Sequence, residues 1–275
     1  MAHVGIIIVT YNPVMKNFEN NLSYIKKLKQ KILIVDNNSN LKEIKRLRNI
    51  AKQNYNVSLI ELDKNMGIGY AQNIGINYFK NKGVDFCFFL DQDSYIKEAH
   101  FKKLVNDFEQ IRIIDKNAVL MGPILNESDL LRDNISKVNK LISSGSLMVL
   151  EATSSVGLMK EKFFIDFIDY EWCWRARKKR KNIYQDGYVV LHHETNGVPR
   201  KYHHTIDPIF RLFYLYRNGT YIIFHEDIFI TQKLELFSKL AGKLLFQFVL
   251  ESRFKRVSTC IKGIVKGITS DFTKV

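Results

Sequence analysis

Cysteine is scarce in this chain. Cys87, Cys173 and Cys260 are far apart, odd in number and without metal-type spacing, which excludes a disulfide framework and a zinc cluster and fits a reducing, cytoplasmic setting. Long apolar runs are also missing. The nearest, "LFSKLAGKLLFQFVL" at 236–250, falls short of the roughly 20 residues that cross a bilayer and carries two lysines. The opening "MAHVGIIIVTYN" enters a strand pattern without the basic start and cleavage site of an export signal, so no export is expected. Glycine and proline together number only 18, and no repeat or low-complexity tract is present, which argues against a fibrous or disordered chain. Acidic side chains are in the minority, 28 against 42 Lys and Arg, for a net charge of +14.

What is present suits one large globular domain with an appended segment: 275 residues, 46% of them hydrophobic. Residues 231–275 carry nine Lys or Arg against three Asp or Glu, with aliphatic and Phe residues between them. An interfacial helix on anionic lipid has this composition. A helical subdomain packed on the core, or a dimer contact, would have it too.

Over the first 122 residues, apolar β-branched runs alternate with amphipathic stretches. "VGIIIVT" (4–10), "KILIVD" (31–36), "VSLIEL" (57–62), "VDFCFFL" (84–90) and "AVLMG" (118–122) read as buried strands. The segments 16–30, 41–54, 67–81 and 97–111 read as helices, giving an α/β fold around a mainly parallel sheet. Beyond residue 139 the alternation breaks down. "ISSGSLMVL" and "IYQDGYVVLHH" read as further strands, 157–181 as an acidic turn running into a basic-ended helix, and the chain from about 205 as helical and basic. The boundaries drawn are 1–220 for one domain, divided at 122, and 221–275 for a helical C-terminal segment.

Polar residues gather where three strands end: Thr10, Tyr11 and Asn12; Asp36 and Asn37; Asp91 and Asp93. Ligands of open α/β sheets bind outside the carboxyl ends of the strands, so three exits point to one crevice. In extended backbone Asp91 and Asp93 face one side and Gln92 the other. Two carboxylates so placed can share a hard divalent cation, Mg²⁺ or Mn²⁺, that bridges to a diphosphate. Without that cation they form an ordinary solvated turn.

Five separated blocks, in order, carry a family resemblance: "IIIVTYNP" (6–13), "ILIVDNNS" (32–39), "NMGIGYAQNIGI" (65–76), "FFLDQDS" (88–94) and "FFIDFIDYEWCWRAR" (163–177). The chain resembles the family 2 glycosyltransferases of GT-A fold, and among them bacterial rhamnosyltransferases that use a dTDP-activated sugar. The match runs over roughly residues 4–220. It implies a Rossmann-like, mainly parallel sheet with helices on both faces and a nucleotide-sugar site made by Thr10, Tyr11, Asn12, Asp36, Asn65, Gly67, Asn73, Asp91, Gln92 and Asp93. It further implies that Asp91 and Asp93 hold the metal, and that a histidine of "VVLHHETNG", His193 in preference to His192, reaches the metal or diphosphate. Imidazole suits Mn²⁺ better than Mg²⁺. Where the family usually has Gly, this chain has Asn196, followed by Gly197.

The resemblance places the catalytic base at Asp169 and a supporting or acceptor-side group at Glu171, Trp172, Arg175 and Asp166. On a helix over 166–181, Asp166, Asp169 and Cys173 share a face, while Glu171 points about 200° away from Asp169. Acids in a first turn and bases in a last turn also simply complement the helix dipole. The late "YLYRN" element offers Arg217 either to the diphosphate or to the core.

The implied reaction is inverting transfer of a sugar, L-rhamnose from dTDP-rhamnose, to a hydroxyl of a lipid-linked or growing cell-surface polysaccharide at the inner face of the plasma membrane. UDP-galactofuranose, UDP-glucose or a UDP-N-acetylhexosamine would suit the same fold. A non-catalytic basic protein that binds membrane or nucleic acid is the rival of another class. The strand-exit carboxylates oppose it, because they repel phosphate unless a cation intervenes.

Overall fold

The computed structural model describes residues 2–125, 134–193, 200–201 and 204–272. Four parallel strands, β1 (Val4–Thr10), β2 (Lys31–Asp36), β3 (Val57–Glu61) and β4 (Phe86–Asp91), form one half of an eight-stranded sheet. Their crossovers are the helices α1 (Met15–Lys27), α2 (Leu41–Gln53) and α3 (Ile68–Lys80). Runs such as "GIII" and "ILIV" are buried along their whole length, as expected of strands covered on both faces. The helices bury one stripe each; α1 turns Phe18, Leu22 and Ile25 inward.

A two-residue strand β5 (Ser94–Tyr95) and helix α4 (Glu98–Ile114) lead into the second half: β6 (Ala118–Ile124), β7 (Ile135–Lys137), β8 (Leu147–Val149) and β9 (Asn182–Val190). The order across the sheet is β3-β2-β1-β4-β8-β6-β9-β7. Strand β8 runs antiparallel between β4 and β6, which ends the doubly wound pattern at β4. The strand expected over 142–150 is thus only three residues long. Its flanks are occupied by hydrogen bonds that hold the crevice, described below.

After the short helix α5 (Ala152–Val156), helix α6 (Ile168–Lys178) begins later than its sequence pattern suggests. Phe164, Asp166 and Phe167 have φ of 65°, 66° and 64°, a left-handed backbone that no helix continues through. A strand β10 (His192–His193) pairs with β5, setting His193 beside Ser94. A small ribbon, β11 (Arg200–Lys201) and β12 (His204–Thr205), follows.

Three C-terminal helices close the molecule: α7 (Ile209–His225), α8 (Ile230–Gln247) and α9 (Arg253–Ile268). The boundary drawn at 220 falls inside α7. Helix α9 comes close to α7 at two glycines, where an added Cβ would lie 2.6 Å from the Phe213 carbonyl oxygen at Gly263 and 2.5 Å from that of Arg217 at Gly267. Tyr216 donates to the Leu240 carbonyl at 2.9 Å, tying α7 to α8. The basic tail is therefore packed on the domain. Among the described residues, no helix is long and apolar enough to cross a membrane.

Candidate active site

The exits of β1, β2 and β4 open onto a cleft of about 770 Å³, closed on its far side by the Phe164–Tyr170 turn and by α7 and α8. Tyr11, Asn65, Gly67, Asp91, Gln92, Asp93, Asp166, Asp169 and His193 all line it, so one cavity gathers residues scattered over more than half the chain.

Asp91 ends β4, and the chain turns immediately afterwards. The turn brings Gln92 into the cleft lining instead of leaving it on the opposite face. Its Oε1 accepts from the Tyr11 backbone N–H at 2.8 Å. Asp91, Asp93 and His193 present ligand atoms within 4.8 Å of one another. The His193 Nδ1 stands 2.6 Å from Ser94 Oγ and 3.5 Å from Asp93 Oδ1. Burial first, and the charge of Asp93 second, push the Asp91 carboxyl up to about 6. Asp93 Oδ1 is buried without a hydrogen-bond partner among the described residues. Two close carboxylates with an imidazole and an unsatisfied buried oxygen make a donor set that fits a divalent cation. His192 lies elsewhere, its ring stacked on Tyr95 at 4.7 Å. Asn196 and Gly197 lie outside the described residues.

Asp169 sits at the start of α6, its Oδ2 accepting from the Ser143 N–H at 3.3 Å and its Oδ1 from the Tyr170 N–H at 2.9 Å. Burial, with the charge of Asp91 adding, raises its carboxyl to about 6 despite these hydrogen bonds. Asp166 reaches the cleft from the left-handed turn rather than from the helix face, and forms a forked pair with Arg211 at 2.8–3.1 Å.

Several expected cleft residues are placed behind its wall. Glu171, two residues after Asp169, has no exposed surface and is held by Arg175 at 2.7 and 2.9 Å and by Lys160 at 3.5 Å. Arg175 also donates to the Leu158 carbonyl, and Trp172 Nε1 to that of Gly157. All three fasten α6 to the loop after α5, as the helical angle between Asp169 and Glu171 demands. Arg217 is likewise fully buried, donating to the Lys162 and Phe163 carbonyls. Asn218 bonds those of Phe163, Ile165 and Asp166. The late Tyr-x-x-Arg-Asn element thus satisfies the carbonyls of an irregular loop behind the cleft wall.

On the nucleoside side, Thr10 and Asp36 are fully buried and bonded to each other at 2.7 Å, with Ser39 taking the rest of the Asp36 carboxylate. Asn12, with φ of 46°, accepts from the Asn40 N–H. These three brace the β1 and β2 exits. Asn73 is buried and locks α3 to Met159 through both ends of its amide. Gly67 does line the cleft, and it must be glycine: φ is +89°, and a Cβ there would lie 2.4 Å from the Phe164 carbonyl oxygen.

Asn37, noted at the second strand exit, also lines the cleft, and Ser143, Ser144, Asp207, Lys239 and Lys243 complete the lining with Arg211. The spacing of Lys239 and Lys243, one turn apart on α8, was the available signal.

A GT-A type fold with an acidic cleft at its strand exits defines a nucleotide-sugar transferase class of architecture. Residues 5–119 match the model of glycosyl transferase family 2. The chain is 37% identical over 191 residues to the dTDP-rhamnosyl transferase RfbF of Shigella flexneri, an alignment covering 64% of this chain and 63% of that protein. Among solved structures, S. aureus TarS 1-349 in complex with UDP-GlcNAc superposes with a TM-score of 0.64 at 13% identity, covering 97% of this chain and 81% of that one. The mannosyltransferase PcManGT of Pyrobaculum calidifontis, in complex with GDP-Man and Mn²⁺, gives 0.64 at 13% identity, over 98% and 88%. Residues 5–119 thus resemble a family 2 glycosyl transferase domain, and the chain is similar to a bacterial dTDP-rhamnosyl transferase that extends beyond the aligned part.

Proposed function

We propose that the protein is an inverting glycosyltransferase that moves L-rhamnose from dTDP-rhamnose to a hydroxyl of a lipid-linked or growing cell-surface polysaccharide. The observation that carries this reading is the convergence of Asp91, Asp93 and His193 with Asp169 in one cleft. The donor sugar follows the resemblance to RfbF.

Asp91, Asp93 and His193 would hold Mg²⁺ or Mn²⁺, whose charge offsets that on the leaving diphosphate. Tyr11, Asn37, Asn65, Gly67 and Gln92 would receive the nucleotide, with Thr10, Asn12, Asp36 and Asn73 keeping their supports in place. Asp169 accepts the proton of the acceptor hydroxyl. The oxygen then bonds to the anomeric carbon on the face opposite the diphosphate, and the bond from that carbon to the diphosphate oxygen breaks.

The protein would work at the inner membrane face, held there by the turn between α8 and α9. Leu245, Phe248 and Phe254 are exposed around that turn, and Arg253 and Lys255 lie within it or beside it.

Titration calorimetry with dTDP, with and without Mn²⁺, tests the site. The expected outcome is metal-dependent binding that Asp93→Ala abolishes. Equal binding by wild type and variant would remove the metal from the account, and a preference for UDP would move the donor to another sugar nucleotide.

A further inference from the structure

The cleft has charges of both signs, unevenly shared between its two sides. Asp91 and Asp93 form an acidic pole that no anion can approach without a cation. Across from it, Arg211 is paired with Asp166, and Lys243 with Asp207 at 2.5 Å. Lys239, also in the lining, has no carboxylate within 4.0 Å among the described residues.

Its ammonium sits over the rings of Phe167 and Tyr170, 5.8 and 5.7 Å from their centroids, in the cleft that Asp169 also lines. Lys239 is exposed at the rim. Enough protein surrounds the ammonium to lower its pKa below the ordinary lysine value, and repulsion from Lys140 and Lys243 adds to this. Lys140 and Lys243 have close partners in Glu235 and Asp207, whereas Lys239 feels the carboxylates of Glu235 and Asp166 only at a distance, so an anion arriving from outside would give its ammonium a close partner.

We propose that Lys239, above the Phe167–Tyr170 shelf, is a subsite for an anionic group on the acceptor: a phosphate, a diphosphate or a sugar carboxylate close to the hydroxyl that reacts. This rests on the assignment of Asp169 as the base, since a cation over the ring of the next residue, in the same cleft lining, is on the acceptor's side. The rings offer a stacking surface for a sugar face, and the ammonium fixes which sugar can follow. A neutral acceptor would leave the cation without a partner, so the subsite selects against it.

The test uses the full chain in chelator, so that the acidic pole cannot bind anions through a metal. Inorganic pyrophosphate and glucuronate are titrated into wild type, Lys239→Gln and Lys239→Arg. We expect one of the two anions to bind the wild type and to lose roughly tenfold in affinity with Gln but much less with Arg. Pyrophosphate as the binder identifies a lipid diphosphate or phosphate as the source, and glucuronate a uronic acid.

Binding of dTDP with Mn²⁺ should be the same in all three proteins, which separates this subsite from the donor site. Loss of dTDP binding in Lys239→Gln with anion binding unchanged would overturn the proposal by giving the ammonium to the donor. So would equal anion affinity in wild type and Gln variant, or no anion binding at millimolar concentration. If the Gln variant fails to fold, acetylation of Lys239 in the wild type, read by mass spectrometry, replaces it: protection by the binding anion supports the subsite, and unchanged labelling rejects it. A failure of dTDP to bind any of the proteins would instead strike at the transferase reading itself.

Discussion

The two halves of the sheet bring polar residues to the cleft by different means. In the first half, β1, β2 and β4 run parallel and their exits do the work directly: the chain leaves the sheet and its next few side chains are already at the cleft or bracing it. In the second half the cleft is built by an irregular turn at 164–167, and polar residues are spent on holding that turn. A strand exit is regular enough to place a side chain by periodicity alone. A left-handed turn is not, so the same residue types take on a supporting role that only the fold reveals.

Helix α6 holds the sharpest instance, two acids two residues apart. Asp169→Asn removes the proposed proton acceptor and keeps one of the two oxygens that accept from the Ser143 and Tyr170 N–H groups. Turnover should fall by about 10²- to 10⁴-fold with dTDP binding and melting temperature unchanged. Steady-state rates with dTDP-rhamnose and a purified acceptor measure this, and near wild-type turnover would dissolve the contrast between the two halves.

Glu171→Ala should do the reverse. It strips a fully buried anion from between Arg175 and Lys160, and breaking such a pair from one side costs about 3–5 kcal/mol. Denaturant unfolding should register this loss, with the remaining folded fraction still binding dTDP. A Glu171→Ala protein of undiminished stability that has lost turnover would put this acid back at the reacting atoms.

The first half was legible in every strand and helix, with α1 ending three residues before its expected bound and α4 three residues after. The expected strands 4–10 and 31–36 are β1 and β2, and the helices over 41–54 and 67–81 are α2 and α3 within a residue at each end. Burial on both faces writes itself into a sequence as an unbroken apolar run, and the crossover helices as a 3.6-residue period. The cleft was legible where residue type and position coincide, as at Asp91, Asp93 and Asp169. It was illegible where a polar residue could serve either the cleft or the backbone behind it, because the loop carbonyls that claim Arg217 and Asn218 leave no mark in the sequence. Thr10 and Asp36 were read as nucleoside contacts for the same reason: their mutual hydrogen bond joins two strands 26 positions apart. The role of the α8 cations stayed open between membrane and core because a basic amphipathic helix carries no sign of which face meets the protein.

The smallest effect concerns pH. Folding lifts the Asp169 carboxyl from the ordinary aspartate range to about 6, chiefly by burial. A general base works only as the carboxylate, so turnover should rise with pH through about 6 and level off above it, falling about tenfold for each unit below. Linkage gives stability the opposite sign. A carboxyl whose pKa is higher in the folded chain than in the unfolded one contributes its full stability below the unfolded value, and that contribution is lost as pH rises through 6. Rate and stability therefore run against each other across the interval from about 4 to 6. In Asp169→Asn the rate slope should flatten, and the stability slope should shrink to the part contributed by other carboxyls that folding raises, such as Asp91. A pH–rate profile that kept its rise in Asp169→Asn would assign the ionisation to another group of the cleft and return the choice of base to experiment.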